Sequence, residues 1–185
     1  MHLSSNLSTL NGFSAMMVRK RYESPISTIG LFVIIALGFI ATAFDPTGFV
    51  ARSGGTIHAQ SLTGVNQALF AIGLVLIIVG SVIRIVAIAT LRRNFSGALR
   101  IRADHTLVKN GIYKHMRHPA YLGAILLFAG IPVMLSSLLG LLAMLPLVPY
   151  LAHRIRLEER MLIERFGKDY EEYMRSSKRL IPFVY

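Results

Sequence analysis

Cysteine is missing from the chain altogether. Disulfides, thiolate metal sites and a cysteine nucleophile are therefore excluded, and the redox compartment is left open. Tryptophan is absent too, so tyrosine and phenylalanine remain as the interfacial anchors. Acid is scarce, with 9 Asp and Glu against 20 Lys and Arg in 185 residues, a net charge of +11. Charge of either sign makes up only 16% of the chain, whereas 54% is hydrophobic. A soluble domain of this length seldom carries so much apolar surface, which points to a single-domain integral membrane protein. In a soluble protein the basic excess would suggest nucleic acid. Here the basic residues flank apolar runs instead of forming a face, so anionic lipid headgroups are the expected partner and nucleic acid is not.

Residues 1–25 are polar and end in the basic run Arg19, Lys20 and Arg21. Ile26 to Phe44 is uncharged over 19 residues, enough for a helix across a hydrocarbon core of about 30 Å. That run is too long for a signal-peptide core, and no convincing cleavage site follows it. Turn chemistry (Asp-Pro, Gly-Gly, Gly64) then marks 45–67 as a loop. A second span is expected from Ala68 to Thr90, with Arg84 as the charge placed inside it. Residues 91–120 are basic and amphipathic. Two apolar runs follow, Tyr121–Leu135 and Leu138–Ala152, separated by Ser136-Ser137, and read as a tight helical hairpin with kinks at Pro132, Pro146 and Pro149. From His153 to Lys178 the chain is charged and strongly helical. The expected fold is all-α and polytopic: about four transmembrane helices, the last two a C-terminal hairpin, then a cytoplasmic C-terminal helix. Lys and Arg number three in 1–25, seven in 91–120 and eight in 153–185, but one in 45–67. This asymmetry predicts that both termini and the 91–120 segment are cytoplasmic.

Two polar clusters then fall at the same membrane surface. One is "GIYKHMRHPAYLG" (111–123), at the entrance to the hairpin; the other starts with "HRIRLEER" (153–160), at its exit. If the hairpin forms, Arg117, His118, Arg154, Glu158 and Glu159 can converge on one pocket. Arg154 and Glu158, four apart, share a helix face and can pair. Glu159 points about 100° away from Glu158, so one carboxylate can pair while its neighbour faces a ligand. A solvated helix face is the plain alternative, and Arg117 alone could be a positive-inside anchor. His118 precedes Pro119, which restrains its backbone. Arg84 is expected to face protein or a polar cavity. The chain has no glycine-rich phosphate loop, zinc-spaced histidine pair or nucleophile elbow, and no metal site is expected.

From Asn94 to Pro182 the chain resembles the isoprenylcysteine carboxyl methyltransferase family and related membrane phospholipid methyltransferases. The resemblance rests on "NFS" (94–96), "HTLVKNGIYKHMRHPAYLG" (105–123), the hairpin, "RIRLEERMLIERFGKDYEEYM" (154–174) and "RLIP" (179–182), in that order. It implies a membrane-embedded methyltransferase using S-adenosyl-L-methionine, with residues 26–90 as two spans and 91–185 as the cofactor-binding and catalytic half. By this resemblance His105, Leu107, Val108, Gly111, Tyr113, Arg117, His118, Tyr121 and Glu159 contact the cofactor. Arg154 and Glu158 match the pair near the methyl acceptor, and the division of roles between the two glutamates stays open. Arg117 or His118 suits the cofactor's carboxylate, and a glutamate suits its ammonium or ribose hydroxyls. The implied acceptor is lipophilic, in the first place the carboxylate of an isoprenylcysteine-like or prenylated substrate, alternatively a phospholipid or other lipid. Membrane sterol reductases share Arg-His-Pro-x-Tyr and Glu-Glu and would imply NADPH instead, but have more spans before the motif. A non-catalytic membrane scaffold is the remaining alternative.

Overall fold

The structure is a computed structural model, and it describes residues 25–46, 65–95 and 106–180. All of the regular elements among these residues are helical. Helix α1 (Pro25–Phe44) starts with proline, whose fixed φ suits a first turn. Helix α2 (Val65–Leu91) is 27 residues long, so it extends about 40 Å. After two short 3₁₀ turns, Arg92–Asn94 and Gly111–Lys114, come α3 (Pro119–Met134), α4 (Leu138–Met144), α5 (Leu147–Phe166) and α6 (Lys168–Ser176).

Helices α2 and α3 form the most extensive pair, and small residues explain their approach. Gly73 and Gly80 of α2 face Gly130 and Gly123 of α3. A Cβ on Gly123 would lie 2.6 Å from the Gly80 carbonyl oxygen and 2.9 Å from Arg84 Cβ, so the backbones touch where any larger residue would separate them. Helix α1 packs mainly on α4. Its end is fastened by Asp45, which is fully buried and accepts hydrogen bonds from Ser137 Oγ (2.7 Å) and Leu139 N (3.0 Å). Ser137 is itself the N-cap of α4, accepting from Gly140 N at 3.0 Å.

The outward faces are apolar. Phe44 is 81% exposed, and Phe32, Ile72, Val75 and Ile85 are likewise exposed. Such continuous apolar surface suits lipid and not water. Among the described residues, 67–94 and 138–166 are long and apolar enough to cross a membrane, and 29–44 and 119–134 are shorter apolar helices.

The hairpin's second arm differs from the expected run of Leu138–Ala152. It breaks at Leu145-Pro146, because a proline's missing N–H and fixed ring cannot continue α4. Helix α5 then runs through the expected boundary at Ala152 to Phe166. Pro149 sits in its first turn, where no N–H is needed. Leu147, Leu151, Arg154, Ile155 and Glu159 are buried along α5, so the apolar and charged parts share one inward face of a single helix. The charged helix expected up to Lys178 is also divided: Gly167 adopts φ +52°, a conformation glycine accepts without strain, and α6 ends at Ser176.

Candidate active site

The segment between α2 and α3 is shaped by its own polar side chains. Asn94 donates from Nδ2 to Thr106 Oγ1 (3.0 Å) and accepts from Thr106 N (3.3 Å), closing residues 94 and 106 on each other. Gly111 opens the next 3₁₀ turn with φ +58°. Tyr113 in that turn is buried, and its carbonyl accepts a 2.6 Å hydrogen bond from the Tyr173 hydroxyl of α6. A short parallel bridge follows between Met116 and Lys178. In it Arg117 N donates to Lys178 O (2.8 Å), His118 N to Arg179 O (3.1 Å) and Lys178 N to His115 O (3.1 Å). The two polar clusters of the sequence are thus joined through the backbone.

Their side chains meet at Glu159. Its carboxylate accepts from Arg117 Nε (3.0 Å) and from Arg179 through Nη2 (2.8 Å) and Nε (3.2 Å), and lies 3.3 Å from His118 Nε2. Arg117 also donates through Nη1 to the carbonyls of Met174 (3.0 Å) and Ser177, which end α6. The buried His118 ring lies between the two glutamates, with Nδ1 3.8 Å from Glu158 Oε2. Pro119 behind it is fully buried and begins α3. Arg154 is buried and donates from Nε to the Tyr121 hydroxyl (3.1 Å) and from Nη1 to that of Tyr150 (3.4 Å). Burial pushes the Tyr113 hydroxyl above the ordinary tyrosine range and that of Tyr173 up to about 12, so both stay neutral.

These groups border one cavity of about 360 Å³. Its polar end is lined by Asn94, Tyr113, Arg117, His118, Glu158 and Tyr173, and beside it lie Leu107 and Val108. Towards the helices it continues past Arg84, Tyr121 and Arg154 into an apolar arm walled by Leu31, Phe32, Ile35, Phe128, Leu147 and Leu151. Of the residues singled out by sequence, nine line this space: Arg84, Leu107, Val108, Tyr113, Arg117, His118, Tyr121, Arg154 and Glu158. Glu159 stands behind the wall as the ion-paired carboxylate, and Gly111 shapes the turn that carries Tyr113. His105 lies outside the described residues. Sequence reasoning gave no role to Arg179, Asn94 or Tyr173, which it quoted only as parts of motifs, or to the α1 wall, which carries no polar signal.

The profile of the isoprenylcysteine carboxyl methyltransferase family matches residues 71–164, which hold most of α2, all of α3 and α4 and most of α5. The chain belongs to this family. Among curated relatives, a probable protein-S-isoprenylcysteine O-methyltransferase of Oryza sativa subsp. indica is 39% identical over 116 residues, covering 61% of this chain and 61% of the rice protein. The protein-S-isoprenylcysteine O-methyltransferase of Saccharomyces cerevisiae is 36% identical over 116 residues, covering 61% of this chain and 48% of its own length. A solved structure of the eukaryotic intramembrane Ras methyltransferase ICMT superimposes with a TM-score of 0.62 at 30% identity, covering 88% of this chain and 54% of that one. The chain thus matches about half to three-fifths of the length of these family members.

Proposed function

We propose that the chain is an S-adenosyl-L-methionine-dependent methyltransferase of the membrane, transferring a methyl group to the carboxylate of a lipophilic, isoprenylcysteine-like acceptor. The observation that carries this reading is the single cavity with two chemistries, a polar end bordered by Glu158, His118 and Tyr113 and an apolar arm running between helices. Such a cavity suits a polar cofactor meeting a greasy acceptor, and its volume falls in the usual range for small-molecule sites. The Lys and Arg distribution supports four spans, with the termini and the polar end at the cytoplasmic face.

The donor set fits the cofactor. Glu158 offers a carboxylate to its cationic groups, and its side chain is 28% exposed, while Glu159 at 5% is already ion-paired. The resemblance gave the cofactor to Glu159; the ion pairs favour Glu158 in contact and Glu159 as the group that positions Arg117 and His118. Leu107 and Val108 offer apolar surface for the adenosyl group. When bound, S-adenosyl-L-methionine supplies a methyl group on an electrophilic carbon next to a sulfonium.

The chain's residues then have three tasks. Arg154, held by the Tyr121 and Tyr150 hydroxyls, orients the acceptor carboxylate with charge-assisted hydrogen bonds. An ionised carboxylate is already a nucleophile, so no residue has to remove a proton. Phe32, Phe128 and Leu147 exclude water and hold the acceptor's tail. Holding two reactants in line contributes up to roughly 7–11 kcal/mol of the acceleration in well-oriented systems.

Calorimetric titration of detergent-purified protein with S-adenosylhomocysteine, and separately with NADPH, tests the reading. Wild type should bind the former with a micromolar dissociation constant, and Glu158→Ala should weaken it about tenfold or more through loss of a charge-assisted contact. Binding of NADPH alone, or no binding by well-folded protein, would overturn the assignment.

A further inference from the structure

Helix α2 has two sides with different neighbours. Gly73, Gly80, Arg84 and Leu91 recur on the side that meets α3 or borders the main cavity. At about 100° per residue, Val75, Val79, Val82, Val86 and Ala89 fall on the opposite side. All five are exposed. Val75 to Val86 rises about 16 Å, close to one leaflet of a hydrocarbon core about 30 Å thick. The apolar stripe is therefore as long as a leaflet is deep. It ends in a groove of about 990 Å³, bordered by Val86, Ala89, Arg92, Arg93 and Asn110.

This groove is not the cavity described above. The two share a wall at Leu91, Asn94, Thr106 and Val108, but none of Tyr113, Arg117, His118, Arg154 and Glu158 borders the groove. Arg92 follows the last residue of α2 at φ +50°, a backbone conformation that residues other than glycine seldom take. Among the described residues, neither Arg92 nor Arg93 joins an ion pair. Both are exposed, and exposure alone would leave them to water. What sets them apart is their place, where a lipid-facing stripe stops and a groove begins. That is the level at which a bilayer changes from acyl chain to headgroup. None of the described residues lining the groove is acidic, so it offers two cations and no partner for the ammonium of a zwitterionic headgroup. Asn110 adds an exposed amide that makes no cap hydrogen bond.

We propose that this groove binds one anionic phospholipid, its phosphodiester held by Arg92 and Arg93 and an acyl chain lying along Val86, Val82, Val79 and Val75. Guanidinium groups suit phosphate oxygens because their planar fork makes charge-assisted hydrogen bonds in pairs. A soluble phosphate would use the arginines but not the stripe, and a neutral lipid the stripe but not the arginines. An anionic phospholipid uses both. The site is separate from the methyltransferase reading and stands or falls without it.

The test is native mass spectrometry of the detergent-purified full chain, titrated with dioleoylphosphatidylglycerol or with dioleoylphosphatidylcholine. Wild type should bind one phosphatidylglycerol first, about tenfold or more tighter than phosphatidylcholine, the scale expected of two arginines beside an anionic lipid. The double variant Arg92→Gln/Arg93→Gln should lose that preference. A control, Arg156→Gln/Arg160→Gln, removes the same charge from exposed positions of α5 and should keep it. Equal loss in both double variants would mean that only the overall basic charge attracts the lipid, which overturns the inference. So would a wild type with equal affinity for the two lipids. Displacement by glycerol 3-phosphate at the lipid's own concentration would assign the groove to a soluble phosphate and overturn it too. If the double variant does not fold, Ala89→Trp fills the groove with both arginines kept, and undiminished affinity for phosphatidylglycerol there also overturns it.

Discussion

Glu159 joins more of the site than any other side chain described. It receives Arg117, His118 and Arg179, which come from two segments of chain on either side of α5. Replacing it with alanine leaves two guanidinium groups without their carboxylate. One of them, Arg117, is largely withdrawn from solvent, with an 8% exposed side chain. Removing one partner of a buried pair costs about 3–5 kcal/mol, so Glu159→Ala should lower the thermal midpoint in detergent clearly and weaken S-adenosylhomocysteine binding along with it. A loss under about 1 kcal/mol would mean that the carboxylate behaves as a surface partner. The convergence of Arg117, His118, Arg154 and Glu158 was legible in the sequence, because a hairpin brings its flanks together whatever its inner geometry. Which glutamate is paired was not legible. Helical spacing fixes how Glu158 and Glu159 diverge around α5, but Arg179 arrives from beyond the Gly167 break, and no periodicity encodes that approach.

Helices α2 and α3 are held by what their facing residues lack. Gly80 and Gly123 let two backbones touch, and Arg84 leaves α2 at the same place. Gly123→Ala puts a methyl group 2.6 Å from a carbonyl oxygen and 2.9 Å from Arg84 Cβ, a clash with backbone that no rotamer change relieves. The expected cost is about 1–3 kcal/mol, read as a lower thermal midpoint, while the same change at Gly30, with nothing within 4 Å, should be nearly neutral. Equal effects at both positions would show that the seam does not limit stability. The starts of α1 and α3 were readable to within a residue or two from the onset of apolar runs. The break at Pro146 was not placed, because the sequence is apolar on both sides of it and hydropathy alone carries no boundary there.

The molecule as a whole turns a broad apolar surface outwards and gathers its charge at one end of the cavity. If the proposed four-span arrangement holds, Gln67 and Asp169 lie on opposite sides of the membrane. Because the chain has no cysteine, single replacements report without background. Both residues are exposed in the structure. An impermeant maleimide added to intact cells should label Gln67→Cys, and should label Asp169→Cys only after permeabilisation. The opposite pattern would invert the orientation, and labelling of both in intact cells would rule out an arrangement with these residues across the bilayer. Membrane character was legible from composition alone, since so little charge over so much apolar sequence has few other solutions. The α1 wall of the cavity was hidden, because a helix that is apolar all round gives no sign of which face meets a neighbour.

The bridge between Met116 and Lys178 also sets an order of events during synthesis. Helices α2 to α5 precede residues 177–179 in the chain, so they leave the ribosome and can begin to enter the bilayer before those residues emerge. Until those residues arrive, Arg117 lacks the Ser177 carbonyl, His118 N lacks the Arg179 carbonyl, and Glu159 lacks Arg179. A nascent chain can therefore be inserted and correctly threaded while the contacts around Arg117 and Glu159 are still incomplete. Competence is conferred late, by a short stretch outside the lipid closing over helices already in place.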